Sequence, residues 1–206
     1  MHKIGILGAG MIGATTARLF AGAGHQVAIS NSRGPETLAD LVRELAPNLR
    51  AMTSADTARW ADIVLLAVPW RSPQALPAAE AVEGKIVIDA MNPYAADGSI
   101  IDLGASSSSE ETRKRLPGAR IVKAFNTIWY RHLAERGSPE RPVEERHAIF
   151  VAGDDAEAKA VVVKLIEEIG FAAVDTGSLA EGGRRQQPNT PLYNKVLTAR
   201  DARALL

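Results

Sequence analysis

"KIGILGAGMIG", residues 3–13, reads as a buried strand that runs into glycines and then opens a helix. Gly8, Gly10 and Gly13 form a GxGxxG pattern with Ala9, Met11 and Ile12 between them. Each glycine has its own mechanical task. Gly8 permits a tight turn, Gly10 lets the backbone approach a pyrophosphate, and Gly13 lets the helix pack close to the strand. The first turn of that helix offers free N–H groups and a partial positive charge. The glycines alone are a weak signal. After a first strand, at the start of a helix and inside a βαβ unit, they mark a dinucleotide site.

The next segment decides which dinucleotide. "HQVAIS" (25–30) reads as the second strand, and "ISNSRGPETL" (29–38) leads out of it. The end of that strand faces the adenosine ribose, where an Asp or Glu bonds both ribose hydroxyls but repels a 2′-phosphate. Residues 25 to 35 contain no carboxylate; Glu36 and Asp40 belong to the following helix. Ser30, Asn31, Ser32 and Arg33 present hydroxyl and amide donors and a guanidinium, which suit a dianionic phosphate. This favours NADP(H) over NAD(H). The cofactor-binding candidates of this half are Gly8, Gly10, Met11, Ile12, Gly13, Asn31, Ser32 and Arg33.

Outward from this unit, short apolar runs alternate with helical patterns. Residues 11–23 place Ile12, Thr16, Leu19 and Ala23 on one face. Gly34-Pro35 opens a second helix with Leu38, Leu41, Val42 and Leu45 inward. Residues 61–69, 85–93, 119–127 and 147–153 are continuous apolar runs, as expected of parallel strands buried on both faces. Asp154 or Asp155 caps a helix with Ala158, Val161, Val162, Leu165 and Ile169 inward, Gly170 stops it, and 171–177 is a last strand. The class is α/β: a Rossmann-type, doubly wound, mainly parallel sheet in a single domain over 1–206. Residues 178–206 form a C-terminal α/β extension of the same domain, whose Leu192, Val196, Leu197, Leu205 and Leu206 are expected at a homodimer interface.

Two segments interrupt the alternation. Residues 104–118 read as a serine-rich loop into a short charged helix, with Ser108 and Glu111 as a capping box. Residues 136–146, charged and with two prolines, are either a lid or an ordinary surface connection.

Lys+Arg and Asp+Glu balance at 24 each, and no basic run argues for nucleic acid or an anionic membrane. The absence of cysteine excludes disulfides, a thiol nucleophile and thiolate metal ligands. The four histidines lack metal-ligand spacing, so no metal site is expected. No signal peptide is read at the start, and no run of roughly 18 apolar residues spans a bilayer, so a cytoplasmic protein is expected.

"GILGAGMIGATTARLFAGAGHQVAISNSR", "VLLAVPW", "VIDAMNP", "VKAFNT" and "VAGDDAEAK…GF…VDTGSLAEG" follow one another in this order. In them the chain resembles the coenzyme-F420-dependent NADP oxidoreductases, and the cytoplasmic reductase domain of the six-transmembrane metalloreductases. The resemblance implies that Ser32 and Arg33 take the 2′-phosphate. It places the backbone of Ala67, Val68 and Pro69 and the side chain of Asn92 near the nicotinamide ribose. It also places a second, flavin-like ring near Lys123, Asn126 and Thr127, with coenzyme F420, FMN or FAD as second substrate. Hydride transfer between stacked rings needs no nucleophile and no strong general base, and no acid–base dyad is evident, so no catalytic side chain is assigned.

Several side chains have two readings from sequence. Trp70 either covers a ring or wedges a helix against the sheet; Arg71 follows it at a strand's carboxyl end. Lys123 either snorkels to the sheet edge or meets a phosphate or ring carbonyl. Asp89 orients the loop after its strand, and His132 is a surface or interface histidine. Residues 182–194, with paired glycines and two prolines, read as irregular, and Arg184 and Arg185 there meet either an anionic substrate or solvent. Three other functions share the pattern: a hydroxyacid or pyrroline-carboxylate type dehydrogenase or imine reductase, an NADPH-dependent flavin or ferric reductase, and a non-catalytic NADP(H)-binding redox sensor.

Overall fold

A computed structural model describes all 206 residues. The chain runs β1 (Lys3–Leu7), α1 (Met11–Gly22), β2 (Gln26–Ser30), α2 (Ala39–Leu45), β3 (Leu49–Ala51), α3 (Ser54–Trp60), β4 (Ile63–Leu66) and β5 (Ile86–Asp89). It continues through α4 (Ser108–Arg115), β6 (Arg120–Lys123), α5 (Tyr130–Glu135), β7 (Ala148–Gly153), α6 (Ala156–Glu168), β8 (Ala172–Gly177), α7 (Glu181–Arg185) and α8 (Ala199–Arg203). The eight strands form one sheet in the order β3-β2-β1-β4-β5-β6-β7-β8. The winding reverses between β1 and β4, which opens a crevice at their carboxyl ends, where open α/β sheets bind ligands.

Alternation along each strand divides the core between two faces. Ile4 and Ile6 pack with Phe20 of α1, Leu133 of α5 and Val162 of α6. Leu7, Val64 and Val87 pack on the other face with Ala58 of α3 and Leu116. Gly5 is required on that second face, because a Cβ there would stand 2.8 Å from the Ala61 Cβ.

Every strand pair is parallel except β6–β7, where Lys123 faces Ala152 in antiparallel register. The run 147–153 is therefore not a parallel neighbour of β6, although β7 does pair in parallel with β8. An apolar run buried on both faces looks the same in either direction.

The inward face of α1 is rotated from the predicted one. Gly13, Thr16, Ala17 and Phe20 are buried, whereas Leu19 is half-buried and Ala23 lies exposed beyond the helix end. Gly13 sets this rotation, since it must face the Gly8 carbonyl. The second helix opens as a 3-10 turn (Pro35–Leu38) before α2, and only Leu38 of its predicted face is fully buried. The capping box of α4 is Ser107 with Glu110, one residue earlier than expected. The Ser108 hydroxyl accepts a hydrogen bond from the Lys123 ammonium instead.

Residues 182–194 are less irregular than their glycines suggest, because α7 occupies 181–185. A Cβ at Gly182 would stand 2.6 Å from Thr176 Oγ1, and one at Gly183 3.0 Å from Ser107 Oγ. The pair permits close packing rather than breaking the helix. Segment 136–146 is a pinned connection: the Arg146 guanidinium donates to the carbonyls of Pro139, Arg141 and Glu167. In the tail, Leu192 is buried with Phe150 and Val174, while Val196, Leu205 and Leu206 are exposed. No helix is long and apolar enough to cross a membrane.

Candidate functional site

The carboxyl ends of β1, β2, β4 and β5, with the segments that follow them, line an open cavity of about 870 Å³. That volume lies within the range of small-molecule and cofactor sites. Gly8, Gly10 and Ile12 line it beside Ala67, Val68 and Pro69 of the neighbouring strand end, and Asn92 also borders it. Asn31, Ser32 and Arg33 stand at the β2 side.

The three motif glycines divide their work as their spacing implies. Gly8 has φ +104°, and a Cβ there would stand 2.4 Å from the Ala67 carbonyl oxygen. A Cβ on Gly13 would stand 1.9 Å from the Gly8 carbonyl oxygen. Gly10 has nothing within 4 Å of its Cβ position, although it lines the cavity. The first two are demanded by packing; the third leaves open the space where a pyrophosphate would meet α1. That helix has no capping side chain and no acidic residue in its first turn, so its first amides are free. Met11 is 64% exposed and off the cavity wall, so only its backbone is placed to serve the site.

On the β2 side, Asn31 Oδ1 accepts from the Arg33 and Gly34 amides at 2.9 Å each, and its Nδ2 donates to Thr37 Oγ1 at 2.8 Å. Its amide is thus spent on folding the turn that presents Ser32 and Arg33. Both of these are exposed, and Arg33 belongs to no ion pair. Ser30 is fully buried and does not join them. Its hydroxyl lies 3.4 Å from the Ile6 carbonyl oxygen and accepts from Ser54 Oγ at 3.2 Å. Ser54 and Ala55 of α3 complete this side of the wall. Sequence reading missed them together with β3 and α3, a three-residue strand and a seven-residue helix. Among the residues lining the cavity, Arg33 and Arg71 are cationic and none is Asp or Glu, which suits a polyanion.

At the opposite end, Asn92 donates to the Asn126 carbonyl at 2.9 Å and toward the Tyr193 hydroxyl at 3.4 Å, and accepts from Asn126 Nδ2 at 3.1 Å. Tyr94 and Tyr193 bring their hydroxyls within 3.2 Å. Burial and the Tyr94 hydroxyl hold the Tyr193 phenol above its usual pKa. Tyr193 had no local signal, because 99 residues separate it from Tyr94. Behind Asn92 the chain leaves β6 through Phe125, whose φ of +65° is a rare conformation for a bulky residue. Its buried ring packs edge-to-face on Phe20.

Lys123, Asn126 and Thr127 are all buried and lie behind the cavity wall rather than on it. Lys123 donates to the Met91 carbonyl at 2.6 Å and to Ser108 Oγ at 3.1 Å, 3.7 Å from Asp89 Oδ2. Burial lowers its pKa, against the opposing pull of Asp89. Trp70 is a wedge that also borders the cavity: its Nε1 donates to the Ser108 carbonyl at 3.2 Å, and Arg115 stacks 4.7 Å from its ring centre. Arg184 and Arg185 turn to the carbonyls of Ala105 and Leu206, away from the cavity. His132 lies against Trp129 and His147, also away from it.

Residues 3–93 match the family described as "NADP oxidoreductase coenzyme F420-dependent". The chain is 28% identical over 166 residues to the F420-dependent NADP reductase of Methanocaldococcus jannaschii, across 73% of this chain and 68% of that one. It is 29% identical over 180 residues to the metalloreductase STEAP3 of Rattus norvegicus, across 86% of this chain. It spans about a third, 34%, of that protein's length. The crystal structure of hypothetical protein SMa0349 from Sinorhizobium meliloti superposes with a TM-score of 0.83 at 35% identity, covering 96% of each chain.

Proposed function

The chain belongs to the coenzyme F420-dependent NADP oxidoreductases, and from that premise we propose that it transfers hydride between NADPH and a deazaflavin (F420) or flavin-type acceptor. The observation that carries this reading is a cavity with a glycine-opened helix terminus at its centre, Arg33 at one end and no carboxylate on its walls. Ser32 and Arg33 take the 2′-phosphate, the amides of α1 take the pyrophosphate, and the backbone of Ala67–Pro69 with Asn92 holds the nicotinamide ribose. NADPH, when bound, supplies the hydride. The protein's own task is to align two rings and exclude water between them, a reaction that requires no nucleophile from the walls. Lys123, Asn126 and Thr127 serve the acceptor ring from behind, through Met91 and Asn92. The same reading includes a homodimer formed through residues 178–206.

The likeness to STEAP3 supports a second reading, an NADPH-dependent flavin or ferric reductase. Anaerobic oxidation of NADPH by the purified protein, followed by loss of NADPH absorbance with F420, FMN or FAD as acceptor, separates the two. Turnover with F420 alone establishes the first. Turnover with flavin and not F420 replaces it with the second. With a ferric chelate added as a fourth acceptor, tight NADPH binding with no turnover in any of the four refutes both.

A further inference from the structure

We infer that Lys123 and Asp89 are positioning residues, which set the nicotinamide end of the cavity by clamping the Met91 backbone at its N–H and its C=O. This rests on the NADP(H) reading above. Both side chains are completely buried, with Nζ and Oδ2 3.7 Å apart. Packing gives no reason for such a pair, since hydrophobic residues of similar volume hold a core as well or better than buried ions do.

The contacts give a reason. Asp89 Oδ1 accepts from the Met91 amide at 3.0 Å, and the Lys123 ammonium donates to the Met91 carbonyl at 2.6 Å. Both polar groups of one residue are therefore held by charged partners, which make the stronger hydrogen bonds. The next residue is Asn92, which lines the cavity. The second arms of the pair reach α4: Asp89 Oδ2 accepts from Ser109 Oγ at 2.7 Å, and Lys123 donates to Ser108 Oγ at 3.1 Å. Ser108 in turn accepts from the Trp70 indole through its carbonyl, so a second wall residue hangs on the same unit. The glycine turn and Arg33 take no part in it. The clamp thus acts on one end of the cofactor and spares the other.

That asymmetry makes the test independent of the acceptor. Affinities for NADPH and for 2′,5′-ADP, which carries only the adenosine end, are measured by calorimetry on wild type and variants, with circular dichroism as the check on folding. Lys123→Met leaves Asp89 as an uncompensated charge, so the main variant is Lys123→Met/Asp89→Asn, which removes both charges and keeps the shapes. Its affinity for 2′,5′-ADP is expected to stay within about twofold of wild type, while that for NADPH falls by about tenfold or more. Lys123→Arg keeps the charge on a different fork and is expected to recover part of the loss; if the double variant does not fold, it reads the same ratio. Folded variants that bind both ligands as wild type does would overturn the clamp and leave the NADP(H) reading intact. A wild-type protein that binds neither ligand would overturn both.

Discussion

Arg33 stands at the carboxyl end of β2 with its guanidinium in no ion pair, on a turn that the Asn31 amide folds. A charge-assisted hydrogen bond contributes about 1.5–3 kcal/mol, so Arg33→Ala is expected to weaken NADPH binding by roughly 10- to 100-fold. NADH, which lacks the 2′-phosphate, should be affected by less than about twofold. Comparison of kcat/KM for the two nucleotides checks this, and an equal loss for both would remove Arg33 from the 2′-phosphate. The loss should also shrink as ionic strength rises, because an exposed charge is screened. At the same scale His147 reports on pH. Burial, helped by the positive Arg136 and by His132, lowers its pKa from 6.5 to about 4. The unfolded chain therefore binds the extra proton first. Stability is complete above pH 6.5 and falls as pH drops toward 4. Allowing for the solvent that reaches the ring, the loss is about 2 kcal/mol. Urea unfolding at both ends of that window tests it, and His147→Gln should flatten the difference.

At the scale of the element, the β1–α1 turn makes two glycines of one motif behave oppositely. Gly13→Ala drives a Cβ to 1.9 Å from the Gly8 carbonyl oxygen, so the turn must open and the helix shift. Thermal unfolding is expected to show a loss of about 2–4 kcal/mol, a typical cost of overpacking or more. Gly10→Ala meets nothing within 4 Å, and stability should change by less than about 1 kcal/mol. Its methyl group enters the cavity wall at α1, and NADPH affinity should fall by about tenfold or more. Equal melting temperatures for the two variants would contradict this division. The sequence carried the motif because strand, turn and helix lie within eleven residues. It carried α1's inward face less well, because Gly13 and the sheet, not periodicity alone, set the helix rotation. The capping box of α4 was likewise legible as a spacing but not as a register, since which serine caps depends on Lys123 claiming the Ser108 hydroxyl.

At the scale of the whole molecule, the C-terminal segment returns across the sheet to the site. Gln186 accepts from Asn126 through its carbonyl at 2.7 Å, Tyr193 approaches Asn92 and Tyr94, and Asn194 donates to Thr127 at 2.9 Å. The apolar residues of the tail fall into two groups. Leu192 is satisfied within the chain, while Val196 and Leu205 stay about half exposed at 50% and 55%. A homodimer through residues 178–206 would cover them, and light scattering should then give twice the chain mass of 21.9 kDa. Val196→Asp with Leu205→Asp should return it to the monomer mass, whereas a wild-type monomer would refute the dimer.

The sequence by itself determined the α/β class, the glycine turn, the carboxylate-free end of β2 and most strands, because each is written in neighbouring residues or in a short period. Tertiary structure alone decided that Ser30 is a strut, that Lys123 lies behind the wall rather than on it, and that Tyr193 meets Asn92 and Tyr94. It alone set β7 antiparallel to β6. These depend on contacts between residues as far apart as the 101 positions from Asn92 to Tyr193. Burial and partner choice there belong to the packed sheet, and no local pattern encodes them.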